Sequence, residues 1–121
     1  MNDEVKMTPL IPFGVLNKNN RRYTKECIKN LPKSVPIVRE MKGIEEIDPS
    51  DIVGSASIHE KEDGIYITDC NITDPSYSAM VQEMMNRGGR FVPAGIGNVE
   101  EDGTIKDFEL REISFTMDPS W

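Results

Sequence analysis

Residues 90–121 constrain the fold most, because this stretch is typical of two long strands joined by a tight turn. The turn falls at Glu100–Gly103, where Gly103 can adopt the positive φ angle that tight hairpins need. The returning segment carries apolar residues at Ile105, Phe108, Leu110, Ile113, Phe115 and Met117. Their alternation slips near residues 106–107 and again between residues 110 and 113, and the second slip indicates a β-bulge. A hairpin of this length needs further strands to complete its sheet.

The preceding segments predict those further strands. Residues 7–16 favour an edge strand, because Pro9 and Pro12 lack the N–H group that a central strand needs. Residues 35–38 predict a short strand. Residues 52–60 and 65–72 predict two strands joined by a turn at Glu62–Gly64.

Two helices are predicted between these strands. Thr24 is expected to cap a short helix over residues 25–31. Pro75 is expected to begin a second helix, which Gly88 and Gly89 terminate. The pattern predicts one α+β domain over residues 1–121, with a mostly antiparallel sheet or a partly closed barrel and two helices. We expect residues 1–6 to be flexible.

Charge and composition exclude several classes of function. A formal charge of −7 over 121 residues argues against a general binder of nucleic acid or of membrane surfaces. The chain has no apolar run long enough to span a bilayer, so we expect no membrane partner. Cys27 and Cys70 have no metal-ligand spacing, and His59 is the lone histidine. We therefore expect no metal, no cofactor and two buried, reduced thiols.

Three segments occur in an order that carries a family resemblance. Val15–Asn30 combines an Asn-rich turn, Arg and Tyr with a predicted helix. Ile52–Ile72 is a strand, an Asp-Gly turn and a strand, and Gly95–Ser120 is a glycine-rich strand, an Asp-Gly hairpin and a closing strand. Together they resemble the prohead (capsid-maturation) serine proteases of tailed bacteriophages. The resemblance implies a fold like that of the herpesvirus assembly proteases.

The residues that this family uses for catalysis are missing from the matching segments. A serine protease needs a serine nucleophile and a histidine base. Residues 38–43 contain Glu40 but no histidine, and residues 90–97 contain no Ser, Thr or Cys. The resemblance therefore implies a catalytically inactive phage protein that acts by binding, most of all in capsid assembly. It also implies phage structural proteins as partners, a possible homo-oligomer, and a location in the host cytoplasm or the virion.

A diverged protease that uses His59 is one alternative. Ser57 shares a strand face with His59, but residues two apart on a strand lie about 6.5–7 Å apart, whereas a catalytic contact needs about 3 Å. Ser114 is then the more distant candidate nucleophile, with Asp118 or Glu112 as a third member.

A second alternative is a phage anti-defence protein that sequesters a host nucleotide signal. Residues 17–23 hold the densest set of hydrogen-bond donors, and two further arginines flank Gly88 and Gly89. The candidate ligand-binding residues are Asn17, Asn20, Arg21, Arg22, Tyr23, Arg87 and Arg90. Guanidinium groups suit the phosphates of a small phosphorylated ligand, although these side chains could equally be ordinary solvated surface groups. On an extended segment Arg21 and Arg22 point apart, so only one of them is expected to line a given pocket.

Overall fold

The structure is a computed structural model that describes residues 7–40, 49–119 and 121, so the prediction for residues 1–6 lies outside the described residues. The strands are β1 (Thr8–Pro12), β2 (Ser34–Val38), β3 (Ile52–Lys61), β4 (Gly64–Ile72), β5 (Arg90–Val99) and β6 (Ile105–Thr116). An α-helix, α1, spans Pro75–Met85, and short 3-10 turns lie at Lys25–Cys27 and Pro49–Asp51. The predicted α+β class is confirmed.

The six strands form one sheet in the order β1-β4-β3-β2-β6-β5. Four of the neighbouring pairs are antiparallel, whereas β2 and β6 run parallel, with Ile37 opposite Ile113 and Val38 opposite Ser114. The sheet curls into a half-barrel, and its two edge strands, β1 and β5, contact each other. The predicted edge position of β1 is confirmed, but the sheet is mixed, because the β2–β6 pair joins strands that no hairpin connects.

The prediction of two helices is wrong, because α1 is the one α-helix among the described residues. Residues 25–31 form only a single 3-10 turn, after which Ile28 is extended and Asn30 adopts a positive φ of 50°. This segment pairs with β6 instead, since the Lys29 N–H donates to the Phe108 carbonyl at 2.9 Å. Pairing with the sheet has overridden the local preference for a helix.

Helix α1 begins at Pro75, as predicted. Asp74 caps it by accepting a hydrogen bond from the Tyr77 N–H at 3.1 Å, and Pro75 occupies the first turn. Tyr77 and Val81 are buried against the sheet, and Met80 and Met84 pack beside them. The Tyr77 hydroxyl accepts a hydrogen bond from the Phe115 N–H at 3.2 Å, which ties the helix to β6.

The long hairpin of β5 and β6 is confirmed, including both irregularities. Gly103 has a φ of +90° in the connecting turn. The register shifts at Asp107, whose φ is +52°, and again opposite Ala94 and Gly95. A Cβ atom at Gly95 would lie 2.8 Å from the Phe108 ring, so this glycine lets the aromatic side chain lie across β5. Both extra residues belong to β6, and β5 therefore continues without interruption.

The two cysteines differ in burial. Cys27 is buried as predicted. Cys70 is exposed, so the prediction of two buried thiols is wrong. Cys70 lies opposite the buried Ala56 of β3 in the strand register. It borders a small opening of about 220 Å³ that Gln82 and Met85 of α1 also line.

Candidate ligand-binding cleft

The turn at residues 17–21 is held together by one buried asparagine. The side chain of Asn17 is 8% exposed, and its Oδ1 accepts hydrogen bonds from the N–H groups of Asn19 at 2.9 Å and Arg21 at 3.0 Å. The Asn17 N–H donates to the Arg21 carbonyl at 2.9 Å, which closes the loop. Asn20 adopts a positive φ of 60°, a conformation that asparagine tolerates. The Asn-rich sequence therefore gives this turn one defined geometry.

The residues after the turn attach it to the long hairpin. The Arg22 N–H donates to the Gly103 carbonyl at 2.9 Å, and the Ile105 N–H donates to the Arg22 carbonyl at 2.8 Å. The Tyr23 carbonyl accepts a hydrogen bond from the Gly14 N–H at 2.7 Å, which links the same segment to the residues after β1. These bonds fix the segment that follows the turn against the start of β6 and against the residues after β1.

A cleft of about 650 Å³ lies between this turn and β5. It is lined by Asn17, Asn19, Arg21, Tyr23, Val92, Pro93 and Trp121. The structure thus brings three predicted residues, Asn17, Arg21 and Tyr23, into one concave site. Trp121 and the two β5 residues, Val92 and Pro93, were not predicted as ligand-binding residues. The signal that could have found Trp121 is that it is the single tryptophan of the chain.

Aromatic side chains form one wall of the cleft. The Tyr23 ring contacts Phe108 edge-on at a centroid distance of 4.9 Å and lies 5.6 Å from the Trp121 ring. The Trp121 indole N–H donates to the Val15 carbonyl at 3.4 Å. Burial raises the pKa of the Tyr23 phenol, Cys27 raises it further, and the positive charge of Arg21 partly lowers it. Tyr23 is therefore close enough to Arg21 to sense its charge.

The two arginines at the cleft form no ion pair with an Asp or Glu side chain of the described residues. Arg21 is half-buried, and its Nη1 donates to the Asn19 carbonyl at 3.1 Å. Arg90 is also half-buried, and it donates to the Trp121 carbonyl at 3.4 Å. Within residues 7–40, 49–119 and 121, no Asp or Glu side chain lies within ion-pair distance of either guanidinium. The nearby ammonium of Lys18, by contrast, is paired with Asp118.

The remaining predicted ligand-binding residues lie elsewhere. Arg22 points toward the hairpin turn, where it adds to the lowering of the Asp102 pKa that the Thr104 N–H chiefly causes. The side chains of Arg21 and Arg22 therefore point apart, as expected, and only Arg21 lines the cleft. Asn20 is exposed, and its carbonyl faces Gly103. Arg87 is exposed on the surface of α1, where it pairs with Glu83 at 3.2 Å.

The structure does not bring the candidate serine and histidine together. Ser114 is buried, and its hydroxyl donates to the Val38 carbonyl at 2.9 Å. Val38 pairs with Ile52, and the exposed His59 lies seven residues further along β3. At about 3.3 Å per residue, His59 is on the order of 20 Å from the level of Ser114. Of the two candidate third members, Asp118 pairs with Lys18, and Glu112 is buried on β6 with its pKa raised chiefly by that burial.

Among the described residues, no group of three or more His, Cys, Asp and Glu side chains could hold a metal ion. None of the helices described is long and apolar enough to cross a membrane. No family model, curated protein or solved structure matches this chain. The resemblance to prohead proteases, and the role in capsid assembly that it implies, stay predictions.

Proposed function

We propose that this protein is a non-enzymatic binding protein that holds a small phosphorylated ligand with a planar ring, such as a nucleotide. The observation that carries the proposal is the half-buried guanidinium of Arg21, which lies at a cleft beside two aromatic rings without a carboxylate partner among the described residues. In a phage, such a protein would act by sequestering a host nucleotide signal.

The charge distribution favours an anionic group at Arg21. The chain as a whole carries −7 and repels anions, so affinity must come from a local field. Arg21 and Arg90 both contact the residues that line the cleft, and Lys18 contributes little because Asp118 neutralises it. A guanidinium presents a planar fork of donors that matches the oxygens of a phosphate. The phosphate is therefore placed against Arg21, with Arg90 as a second, more distant positive charge.

The aromatic wall favours a planar ring in the rest of the ligand. Tyr23 is held edge-on against Phe108, so its orientation is set by the core of the protein. Trp121 is fixed by its hydrogen bond to Val15 and by its contact with Tyr23. Stacking of one base on an aromatic side chain contributes about 1–3 kcal/mol. The cleft volume of about 650 Å³ lies within the range of about 300–1,000 Å³ that small-molecule sites show.

The proposal is tested by isothermal titration calorimetry with AMP, GMP and UMP, alongside adenosine and inorganic phosphate. We expect the nucleotides to bind more tightly than either fragment, because each fragment satisfies only the aromatic wall or only the arginine. A thermal-shift assay gives an independent reading, since a ligand at 100 times its Kd stabilises the native state by about 2.7 kcal/mol. Absence of binding by every nucleotide and fragment would refute the proposal.

Paired arginine variants locate the site. Arg21→Ala should weaken nucleotide binding by about 1.5–3 kcal/mol, the range for a hydrogen bond to a charged group. Arg87→Ala is the matched control, because it removes the same charge from the surface of α1. Arg21→Lys keeps the charge and loses the fork, so its affinity should fall between the other two. Equal affinities for all three variants would place the ligand somewhere else.

A further inference from the structure

The side chain of Asn17 brings a second polar group to the cleft besides the oxygen that organises the turn. Its Oδ1 accepts hydrogen bonds from the N–H groups of Asn19 and Arg21 at 2.9 and 3.0 Å. These two bonds fix the orientation of the amide, because the reversed orientation would set its NH2 group against two N–H donors. The Nδ2 group is therefore turned away from the backbone of the turn.

The Nδ2 group of Asn17 has no hydrogen-bond partner among the described residues, although the residue is only 8% exposed. Every fully buried side-chain nitrogen or oxygen atom of the described residues does have a partner, so this nitrogen must reach the surface. Because Asn17 lines the cleft, its two N–H donors open there. A ligand that displaces water from the cleft must then supply an acceptor for them.

Asn17 lies deeper than the arginine against which the phosphate is placed. The guanidinium of Arg21 donates to the Asn19 carbonyl at the exposed rim of the turn, whereas Asn17 is nearly buried at its root. Two residues before Asn17, the Val15 carbonyl holds the indole N–H of Trp121. A charged phosphate at the rim keeps part of its hydration. The planar ring then extends along the aromatic wall toward Asn17.

We propose that Asn17 selects a nucleotide whose base presents a carbonyl oxygen, such as hypoxanthine, guanine or uracil, over one that presents an amino group, such as adenine or cytosine. This inference rests on the proposed function, since it concerns the base of the ligand placed in the cleft. Asparagine recognises adenine when its oxygen and its nitrogen both face the base. Here the oxygen is already bound by two N–H groups, so Asn17 offers the base donors alone. A carbonyl oxygen accepts from these donors, whereas an exocyclic amino group meets them donor to donor.

Neither the arginine nor the tyrosine of the cleft reverses this preference. The guanidinium of Arg21 has donors only. The Tyr23 hydroxyl can donate or accept, so it suits either kind of base. The carbonyls of Asn19 and Trp121 each accept a bond from an arginine already. The cleft is therefore richer in available donors than in available acceptors.

Calorimetric titration with IMP and AMP tests the preference, because these nucleotides differ only in the 6-oxo or 6-amino group and in the proton on N1. The wild type should bind IMP about tenfold more tightly than AMP, the effect of about one hydrogen bond. Asn17→Asp keeps one oxygen for the N–H groups of the turn and replaces the amide nitrogen with a second oxygen. That oxygen accepts from an amino group, so the variant should prefer AMP to IMP, while its charge lowers the affinity for both.

Asn19→Asp is the matched control, since it adds the same charge to the exposed part of the same turn. Both affinities should fall, and the ratio of the IMP and AMP affinities should stay that of the wild type. Urea unfolding should show that Asn17→Asp is as stable as the wild type, because a carboxylate accepts the same two bonds. If Asn17→Asp does not fold, the wild-type ratio decides alone.

The outcomes separate this inference from the proposed function. Equal affinities of the wild type for IMP and AMP, or tighter binding of AMP, would overturn the selection by Asn17 and leave the nucleotide site in place. A folded Asn17→Asp variant that keeps the wild-type ratio would overturn it as well, because Nδ2 would then not contact the base. Absence of binding by every nucleotide would refute the proposed function and this inference together.

Discussion

The turn at residues 17–23 and the end of α1 at residues 83–90 both carry arginines that suit an anion, yet the structure uses them differently. On the helix, Glu83 stands four residues before Arg87 and pairs with it on a convex surface. In the turn, the neighbours of Arg21 are asparagines, which supply hydrogen bonds but no negative charge. Arg21 therefore keeps its charge at a concave surface. The residues around an arginine therefore decide whether its charge is available to a ligand.

The largest expected difference between the two regions concerns their asparagines. Asn17→Ala leaves the N–H groups of Asn19 and Arg21 without their acceptor, so it should lower the free energy of unfolding by about 1–3 kcal/mol. The matched change at the helix end is Asn86→Ala, which removes one long, exposed bond to Gln82 and should alter stability by no more than about 0.5 kcal/mol. Urea unfolding measures both. Equal effects would mean that Asn17 does not organise the turn.

Each region also has its own thiol, which allows a second comparison. Cys27 follows the turn and is buried, whereas Cys70 lies exposed beside α1. Burial raises the pKa of the Cys27 thiol, and partial desolvation together with the charge of Asp69 raises that of the Cys70 thiol. Both are therefore weak nucleophiles at neutral pH, and the difference in rate must come from access. We expect Cys70 to react with a thiol reagent at least tenfold faster than Cys27, a difference of about 1.4 kcal/mol. Mass spectrometry of Cys27→Ser and Cys70→Ser assigns the rates, and faster labelling of Cys27 would show that the turn region opens readily.

A third prediction uses the titration of Tyr23. Its folded-state pKa lies above the ordinary value of about 10, chiefly because the phenol is buried. The native state therefore holds this proton more tightly than the unfolded chain does. The stability that depends on it is complete below about pH 10 and is lost as the pH rises through the folded-state pKa. Tyr23→Phe should show less loss of stability than the wild type in urea unfolding at pH 8 and pH 11.

The same titration distinguishes the two arginines. The charge of Arg21 favours the phenolate form, so Arg21→Ala should raise the pKa of Tyr23 further, and Arg87→Ala should leave it unchanged. The absorbance of tyrosinate, taken as the difference between each protein and its Tyr23→Phe counterpart, isolates this residue from Tyr66 and Tyr77. An identical Tyr23 titration in all backgrounds would show that Arg21 does not approach the phenol in solution.

The smallest expected effect is the loss of the helix ion pair. Arg87→Ala should lower the free energy of unfolding by about 0.3–0.5 kcal/mol, the usual value for an exposed pair four residues apart on a helix. Added salt should reduce that difference, because both side chains are exposed. Thermal melts at low and high ionic strength give the measurement. A loss well above 1 kcal/mol would mean that Arg87 has a further contact.

The sequence predicts well where its signals are local. Gly103 marks the hairpin turn, Pro75 marks the start of α1, and the broken alternation near residues 106 and 111 marks the bulges of β6. It predicts poorly where distant segments compete. Residues 25–31 look helical by themselves, but pairing with Phe108 draws them along β6. On β3, strict alternation would place Ile52 on the face of Ala56 and Ile58, yet a bulge opposite Ile37 and Val38 exposes Ile52 and buries Val53.

The candidate site was predictable only in part for the same reason. Arg21 and Tyr23 stand out in the sequence as an arginine and an aromatic residue in one Asn-rich turn. Trp121 lines the same cleft although it lies almost a hundred residues further along the chain. Val92 and Pro93 line it because β5 is an edge strand of the sheet. In the sequence, Arg87 and Arg90 stand in equivalent positions on either side of Gly88 and Gly89. Tertiary structure decides that Arg87 pairs with Glu83 and that Arg90 donates to Trp121.

The parallel contact between β2 and β6 has a consequence for how the chain is made in the cell. The bond between Ser114 and Val38 joins residues 76 positions apart, whereas the β3–β4 and β5–β6 hairpins are local and can form early. At a synthesis rate of about 5–20 residues per second, Ser114 is made about 4–15 s after Val38, so the edge of β2 that pairs with β6 stays unpaired for that time. During that interval the apolar side chains of Val35, Ile37 and Val38 stand at an open edge of the nascent chain. Until β6 is made, that edge is the part of the sheet most open to pairing with another chain.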